Sequence, residues 1–174
     1  MEINEEVLYA EGLSVKVERQ VIQELKDRAD TNSRKRVRLC AHPNVDDTLH
    51  QMLIVHTKDT YVRPHKHLNK SESIHIIEGS LELVIFDEVG AITDVIPMGD
   101  YSSDRAFFHR MNEPLYHTML ISSDHVVFHE TANGPFKQSE NVFPPWAPED
   151  MNEVEYMAQL AQKMKEFQAE PKDA

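Results

Sequence analysis

YVRPHKHLNKSESIHIIEG, residues 61–79, decides how the rest of the chain is read. Its nineteen positions hold three histidines and two glutamates. In a β-strand successive side chains alternate faces, and residues two apart lie about 7 Å apart on one face. That spacing places Tyr61, Arg63, His65 and His67 on one side and Val62, Pro64 and Lys66 on the other. Two imidazoles at i and i+2 can converge on one ion at about 2.0–2.1 Å each. The turn-like LNKS lets the chain double back and lay Glu72 over the pair. His75, of opposite parity to Glu72 on its strand, faces away. Gly79 then permits a tight turn into the next segment. The spacing H-x-H-x4-E-x6-G arises by chance in roughly one chain in a thousand of this composition, so it reads as a metal-binding arrangement.

Outward from this stretch, between about Val37 and Glu130, the chain is a series of short apolar or alternating segments. They are LHQMLIVH, TYVRPHKH, SIHIIEG, LELVIFD, ITDVIPM, AFFHRM, HTMLI and HVVFHE, separated by turn-like groups such as DEVGA and SSD. Eight such strands predict a mainly β fold, an antiparallel jelly roll or β-barrel. LELVIFD, residues 81–87, is apolar at both parities and so predicts a strand covered on both faces, by the chain's own helices or by a second subunit. A homodimer is expected. VERQVIQELKDRA, residues 17–29, has helical periodicity, ended by the polar run Asp30 to Ser33. The prolines of FPPWAPED exclude regular helix. Beyond them, Val154, Met157, Leu160, Ala161, Met164 and Phe167 share one face of a terminal helix. The expected organisation is an N-terminal extension with one helix (1–33), a β domain (34–150), and a C-terminal helix and tail (151–174).

Composition narrows the partners. A length of 174 residues suits one domain. The single cysteine, Cys40, allows no intramolecular disulfide and no Cys-rich zinc site, which points to a reducing cytoplasm. The acidic N-terminus lacks the basic and apolar regions of a signal peptide, and no stretch approaches the roughly 20 apolar residues of a membrane helix. A formal charge of −12 opposes phosphate backbones and anionic lipid surfaces, so neither nucleic acid nor membrane is expected as a partner. The one basic run, RKRVR at 34–38, reads first as a solvated loop or strand edge. Its second reading is a local anion site, with Arg38 as the residue to reach a substrate.

A fourth ligand should come from a distant strand. His117, at the start of HTMLI, is preferred and His109, within AFFHRM, competes with it. Three neutral imidazoles and one carboxylate leave a divalent ion with net charge +1 and, if octahedral, two open positions. Manganese, iron, nickel and zinc all suit such donors. Tyr61 and Glu130 are the candidate catalytic groups, and Arg63, which shares parity with the ligands, is a second candidate to bind substrate. Three functions fit: a metal-dependent isomerase or epimerase of a small polar metabolite, a mononuclear non-haem iron oxygenase, or a non-catalytic metal-bearing binding protein.

His65 to Gly79 also resembles the first metal-binding motif of the cupin superfamily. More narrowly, RVRLCAHPNVDD at 36–47, TYVRPHKH at 60–67, KSESIHIIEG at 70–79, VIFDEVG at 84–90, FHETANGPF at 128–136 and WAPED at 146–150 resemble the WbuC-type cupin-fold metalloproteins. The resemblance implies a small cupin jelly roll with His65, His67, Glu72 and His117 as metal ligands. The family's association with surface-polysaccharide gene clusters implies sugar or nucleotide-sugar chemistry. The second cupin motif is altered: Asn112 and Pro114 stand where it has Pro and Gly, and Ile121 where it has Asn. Asp59 replaces the opening glycine of the first motif.

Overall fold

The computed structural model describes residues 4–149 and 153–169. The expected domain boundary at 150 and the tail beyond 169 lie outside the described residues. Eleven strands are present among those described: β1 (Val7–Tyr9), β2 (Arg36–Cys40), β3 (Leu49–Thr57), β4 (Lys66–His67), β5 (Glu72–Glu78), β6 (Ser80–Phe86), β7 (Ile92–Gly99), β8 (Phe108–Met111), β9 (Tyr116–Ile121), β10 (His125–Asn133) and β11 (Asn141–Val142). The helices are α1 (Arg19–Thr31) and α2 (Glu153–Ala169). No described helix is long and apolar enough to cross a membrane.

The strands form a jelly-roll-like arrangement of separate sheets and do not close into a barrel. A six-stranded sheet runs β1-β2-β3-β10-β5-β8, a three-stranded one β7-β6-β9, and β11-β4 make a short ribbon. Pairing is antiparallel except at the edge, where β1 runs parallel to β2. Alternation sends one face of each strand inward. Met52 and Ile54, Ile74 and Ile76, and Phe128 of the large sheet meet Leu81, Leu83, Ile85 and Met119 of the small one in a common buried cluster. Truncating one of these large aliphatic side chains to Ala costs about 2–5 kcal/mol.

The helices cover what the sheets leave outside. Leu25 and Ala29 of α1 pack on Val37, Val55 and Val127, the outward residues of three adjacent strands. On the opposite side, Val84 and Phe86 lie under Leu160 of α2, together with Val95 and Tyr116. The apolar second face of LELVIFD is therefore covered by the chain's own C-terminal helix. Gly79 links β5 to β6 at φ +80°, and a Cβ there would collide with the His125 carbonyl oxygen. Glycine is required at this turn.

TYVRPHKH differs from the expected strand. Pro64 has no N–H to give a ladder, and only Lys66 and His67 pair regularly, with β11. His65 makes an isolated bridge to His117.

Candidate metal centre

His65 and His117 sit directly opposite one another. The N–H of His65 donates to the His117 carbonyl at 3.1 Å and the reverse bond is 2.9 Å. Such a doubly bonded antiparallel pair puts both side chains on one face, and the ring centroids lie 4.5 Å apart. His67 enters from β4 and is registered against Asn141 of β11. One ligand nitrogen from each of the three rings gathers within 4.8 Å of the others. Glu72, at the start of β5 and 6% exposed, points at the same place. Its Oε2 is 3.2 Å from His67 Nε2 and its Oε1 is 3.0 Å from His117 Nε2.

Second contacts set the orientation of all three rings. His65 Nδ1 donates to the Arg63 carbonyl at 2.8 Å, His117 Nδ1 to the Leu115 carbonyl at 2.9 Å, and His67 Nδ1 to Asn141 Oδ1 at 2.7 Å. Each partner is an oxygen that only accepts, so each Nδ1 carries a hydrogen and the neutral ring presents a lone pair at Nε2. Ligating histidines are held in this way by their outer nitrogens.

The consequence is electrostatic. Two lone pairs on His67 and His117 face carboxylate oxygens at hydrogen-bond distance, and buried Glu72 Oε1 finds no donor. A cation or a shared proton must lie between them. Burial disfavours imidazolium: His65 is pushed down to about 3 by desolvation, aided by the His117 and His67 rings. Burial also pulls on His67, but the Glu72 contact outweighs it and raises its pKa. Burial would raise Glu72, yet His117 and His67 hold it well below the usual carboxylate range. Three neutral imidazoles with a carboxylate are the donor set of a divalent transition-metal site. These four residues therefore fit a metal ion.

The remaining candidates fall into two groups. Glu130, Arg38 and Arg63 line the same cavity as the imidazoles, a space of about 330 Å³. Glu130 is pushed up to about 7 by burial and by Glu72, against the opposing pull of Arg38, His67 and His117. Arg63 donates to the Ala147 carbonyl and Glu149, and its guanidinium lies 4.8 Å from the Phe143 ring centre. Tyr61 is elsewhere. Its hydroxyl donates to the Pro148 carbonyl at 2.8 Å and its ring meets Tyr156 of α2, so it belongs to the packing between this segment and the C-terminal helix. His109 lies opposite Ile74 on β8, outside the imidazole group, with burial and His117 lowering its pKa.

Three cavity residues escape the spacing argument. Asn141 holds His67 from 74 residues away, too distant for any local pattern. Arg36 and His56 face each other across β2 and β3 and both line the cavity. A signal for Arg36 existed: it shares parity with Arg38 and with buried Cys40.

Comparison with known proteins supports the fold. A family model described as a domain of unknown function (DUF6016) matches residues 17–98. No curated protein matches. An uncharacterized conserved protein with a double-stranded β-helix domain from Klebsiella pneumoniae is 10% identical with a TM-score of 0.50, covering 66% of this chain and 82% of its own. A recombinant oxalate oxidase in complex with glycolate is 11% identical with the same TM-score, over 65% of this chain and 57% of the other. A protein from Shewanella oneidensis is 12% identical at a TM-score of 0.46, over 59% of this chain and 65% of its own. The present chain thus spans less than two thirds of the last two. The likeness to the first two is one of fold, a jelly-roll-like arrangement that the Klebsiella protein's description calls a double-stranded β-helix domain.

Proposed function

We propose that the protein is a WbuC-type, metal-dependent enzyme of the isomerase or epimerase kind, acting on a small polar metabolite such as a sugar derivative. His65, His67, Glu72 and His117 would hold one divalent ion. The observation that carries this reading is the set of three gathered imidazoles, each pinned at Nδ1, two of them within 3.2 Å of a buried carboxylate whose Oε1 has no donor. When bound, the ion supplies Lewis acidity that polarises a substrate oxygen and acidifies the adjoining C–H.

The chain's own residues supply the rest. Glu130 projects into the cavity beside the ligands, and a carboxyl poised near neutrality suits taking a proton from carbon and returning it. Arg63, clamped to the 147–149 segment, fixes that wall of the cavity. A volume of about 330 Å³ lies at the small end of ordinary ligand pockets, about 300–1,000 Å³. It favours a sugar-sized molecule over a nucleotide-sugar.

The test has two stages. Untagged protein should contain close to one metal ion per chain by mass spectrometry. Metal-loaded protein incubated with a panel of aldoses and ketoses in D2O should then exchange a C–H next to the carbonyl, read by NMR, and Glu130→Gln should abolish the exchange. Sub-stoichiometric metal in the parent would sink the reading. Oxygen uptake dependent on ferrous ion, without exchange, would replace isomerisation by oxygenation.

A further inference from the structure

The cavity has a second wall, built on β2 and β3, that the metal ligands do not use. Across the floor of the large sheet the order is Glu72 on β5, Glu130 on β10, His56 on β3, and Arg36 and Arg38 on β2. Three inter-strand steps of about 4.8 Å separate the backbones at the two ends. Glu130 stands between them, its electrostatic neighbours being Glu72, His67 and His117 on one side and Arg38 on the other.

The charge balance of the lining runs against that of the whole chain. The protein carries a formal −12. Yet four guanidinium groups (Arg34, Arg36, Arg38, Arg63) line the cavity against three carboxylates (Glu6, Glu72, Glu130), so a divalent ion would bring the lining to net +3 even with Glu130 ionised. A local excess of positive charge favours an anion.

Arg38, which has no ion pair among the described residues, and the unbonded Nδ1 of His56 mark where that anion would sit. Arg38 is exposed at the rim and makes no ion pair among the described residues. His56 is 8% exposed, lines the cavity, and its Nδ1 has no hydrogen-bond partner. Burial, with Arg36 and Arg38 beside it, pushes His56 down to about 3, so the ring is neutral at pH 7 and has one N–H to offer an anion. The wall already accepts one carboxylate from the chain itself: Glu6 Oε2 is 3.0 Å from Arg36 Nε.

We propose that the ligand of this cavity carries an anionic group, a carboxylate or a phosphate, seated on Arg38, Arg36 and His56 at the end remote from the imidazoles. This rests on the cavity being the substrate site of the proposed enzyme, and it specifies the substrate class: a small acid or phosphate ester with a polar end for the metal and an acidic end for the arginines. The reacting carbon then lies beside Glu130, between the two anchors.

The test uses the full-length protein treated with chelator, so that no anion can bind through a metal. Calorimetric titration with inorganic phosphate, and separately with acetate, should show one of them binding with Kd on the order of 1 mM or tighter, above a matched chloride control. The tighter of the two identifies the acidic group. Arg38→Gln should weaken that binding about tenfold, the scale of a charge-assisted contact, and Arg38→Lys by less. Should Arg38→Gln fail to fold, His56→Gln should weaken binding in the same direction. Absence of binding by the parent, or unchanged affinity in a folded Arg38→Gln, overturns the proposal. Anion binding by a protein that never holds metal would instead leave this wall intact and sink the enzyme reading.

Discussion

One end of the cavity is finished and the other is left open. At the imidazole end every outer ring nitrogen is bonded, to the carbonyls of Arg63 and Leu115 and to Asn141. At the arginine end, buried His56 Nδ1 has no partner and Arg38 makes no ion pair among the described residues. The difference is what two kinds of occupant require. A resident ion is held by donors fixed in advance, since any freedom in them lowers affinity. A ligand that exchanges in every turnover needs donors that it satisfies itself.

The largest effect should come from breaking the finished end. His67→Ala or Glu72→Ala is expected to reduce bound metal from near one per chain to below about a tenth, because each removes a ligand and leaves its buried partner uncompensated. Metal analysis of the purified variants checks this. Retention of parental metal in both would mean that the four residues do not form the site.

Asn141 sharpens the same comparison at the next scale. Replacing it by Ala leaves the four ligands in place but frees the His67 ring, so metal affinity should fall by about 10–100-fold. Competition with a chelator of known affinity measures it. Asn141→Asp, which keeps an oxygen facing Nδ1 and adds a negative charge there, should retain most of the affinity. An Asn141→Ala protein with parental affinity would show that the outer bond is incidental.

The difference between these two variants also explains what could be read in the sequence. His65, His67 and Glu72 lie within eight positions, and their approach depends only on strand alternation and one short turn. Asn141 reaches His67 through a two-residue ribbon formed across 74 positions of chain, in a region without hydrophobic period. No local rule anticipates such a contact. His117 is intermediate. The sequence prefers it to His109 without deciding between two histidines on apolar strands, and the two part in three dimensions, where the backbone bridge to His65 brings His117 to the cluster. The two-faced apolarity of LELVIFD was legible as burial on both sides. Which element covers the outer face was settled by Leu160 of α2.

The next contrast is in the sign of pH dependence. Glu130 has its pKa raised from the ordinary carboxylate range to about 7, chiefly by burial and then by Glu72. The folded chain therefore holds a proton that the unfolded chain gives up. The stability associated with it is complete below about pH 4.5 and is lost as pH rises towards 7. His56 acts oppositely: lowered to about 3, chiefly by burial, it gives stability that is complete above about pH 6.5 and is lost as pH falls towards 3. Thermal denaturation of metal-free protein should show Glu130→Gln gaining on the parent by a few kcal/mol between pH 4.5 and 7 and no further above it. His56→Gln should flatten the acid side. Parallel curves for parent and Glu130→Gln would place that carboxyl in ordinary solvent.

The smallest expected effect concerns a residue that strand parity alone places with the ligands. Tyr61 is two positions from Arg63 and four from His65, but Pro64 interrupts the ladder before β4 begins, and alternation no longer carries back to residue 61. Its hydroxyl donates to the Pro148 carbonyl and its ring touches Tyr156, tying the wall to α2. Tyr61→Phe removes one hydrogen bond and keeps the ring, so it should cost about 1 kcal/mol of stability while metal content and chelator competition stay at parental values. A loss of metal in Tyr61→Phe would mean that the hydroxyl reaches the ion's surroundings, and that the boundary between site and wall lies on the other side of this residue.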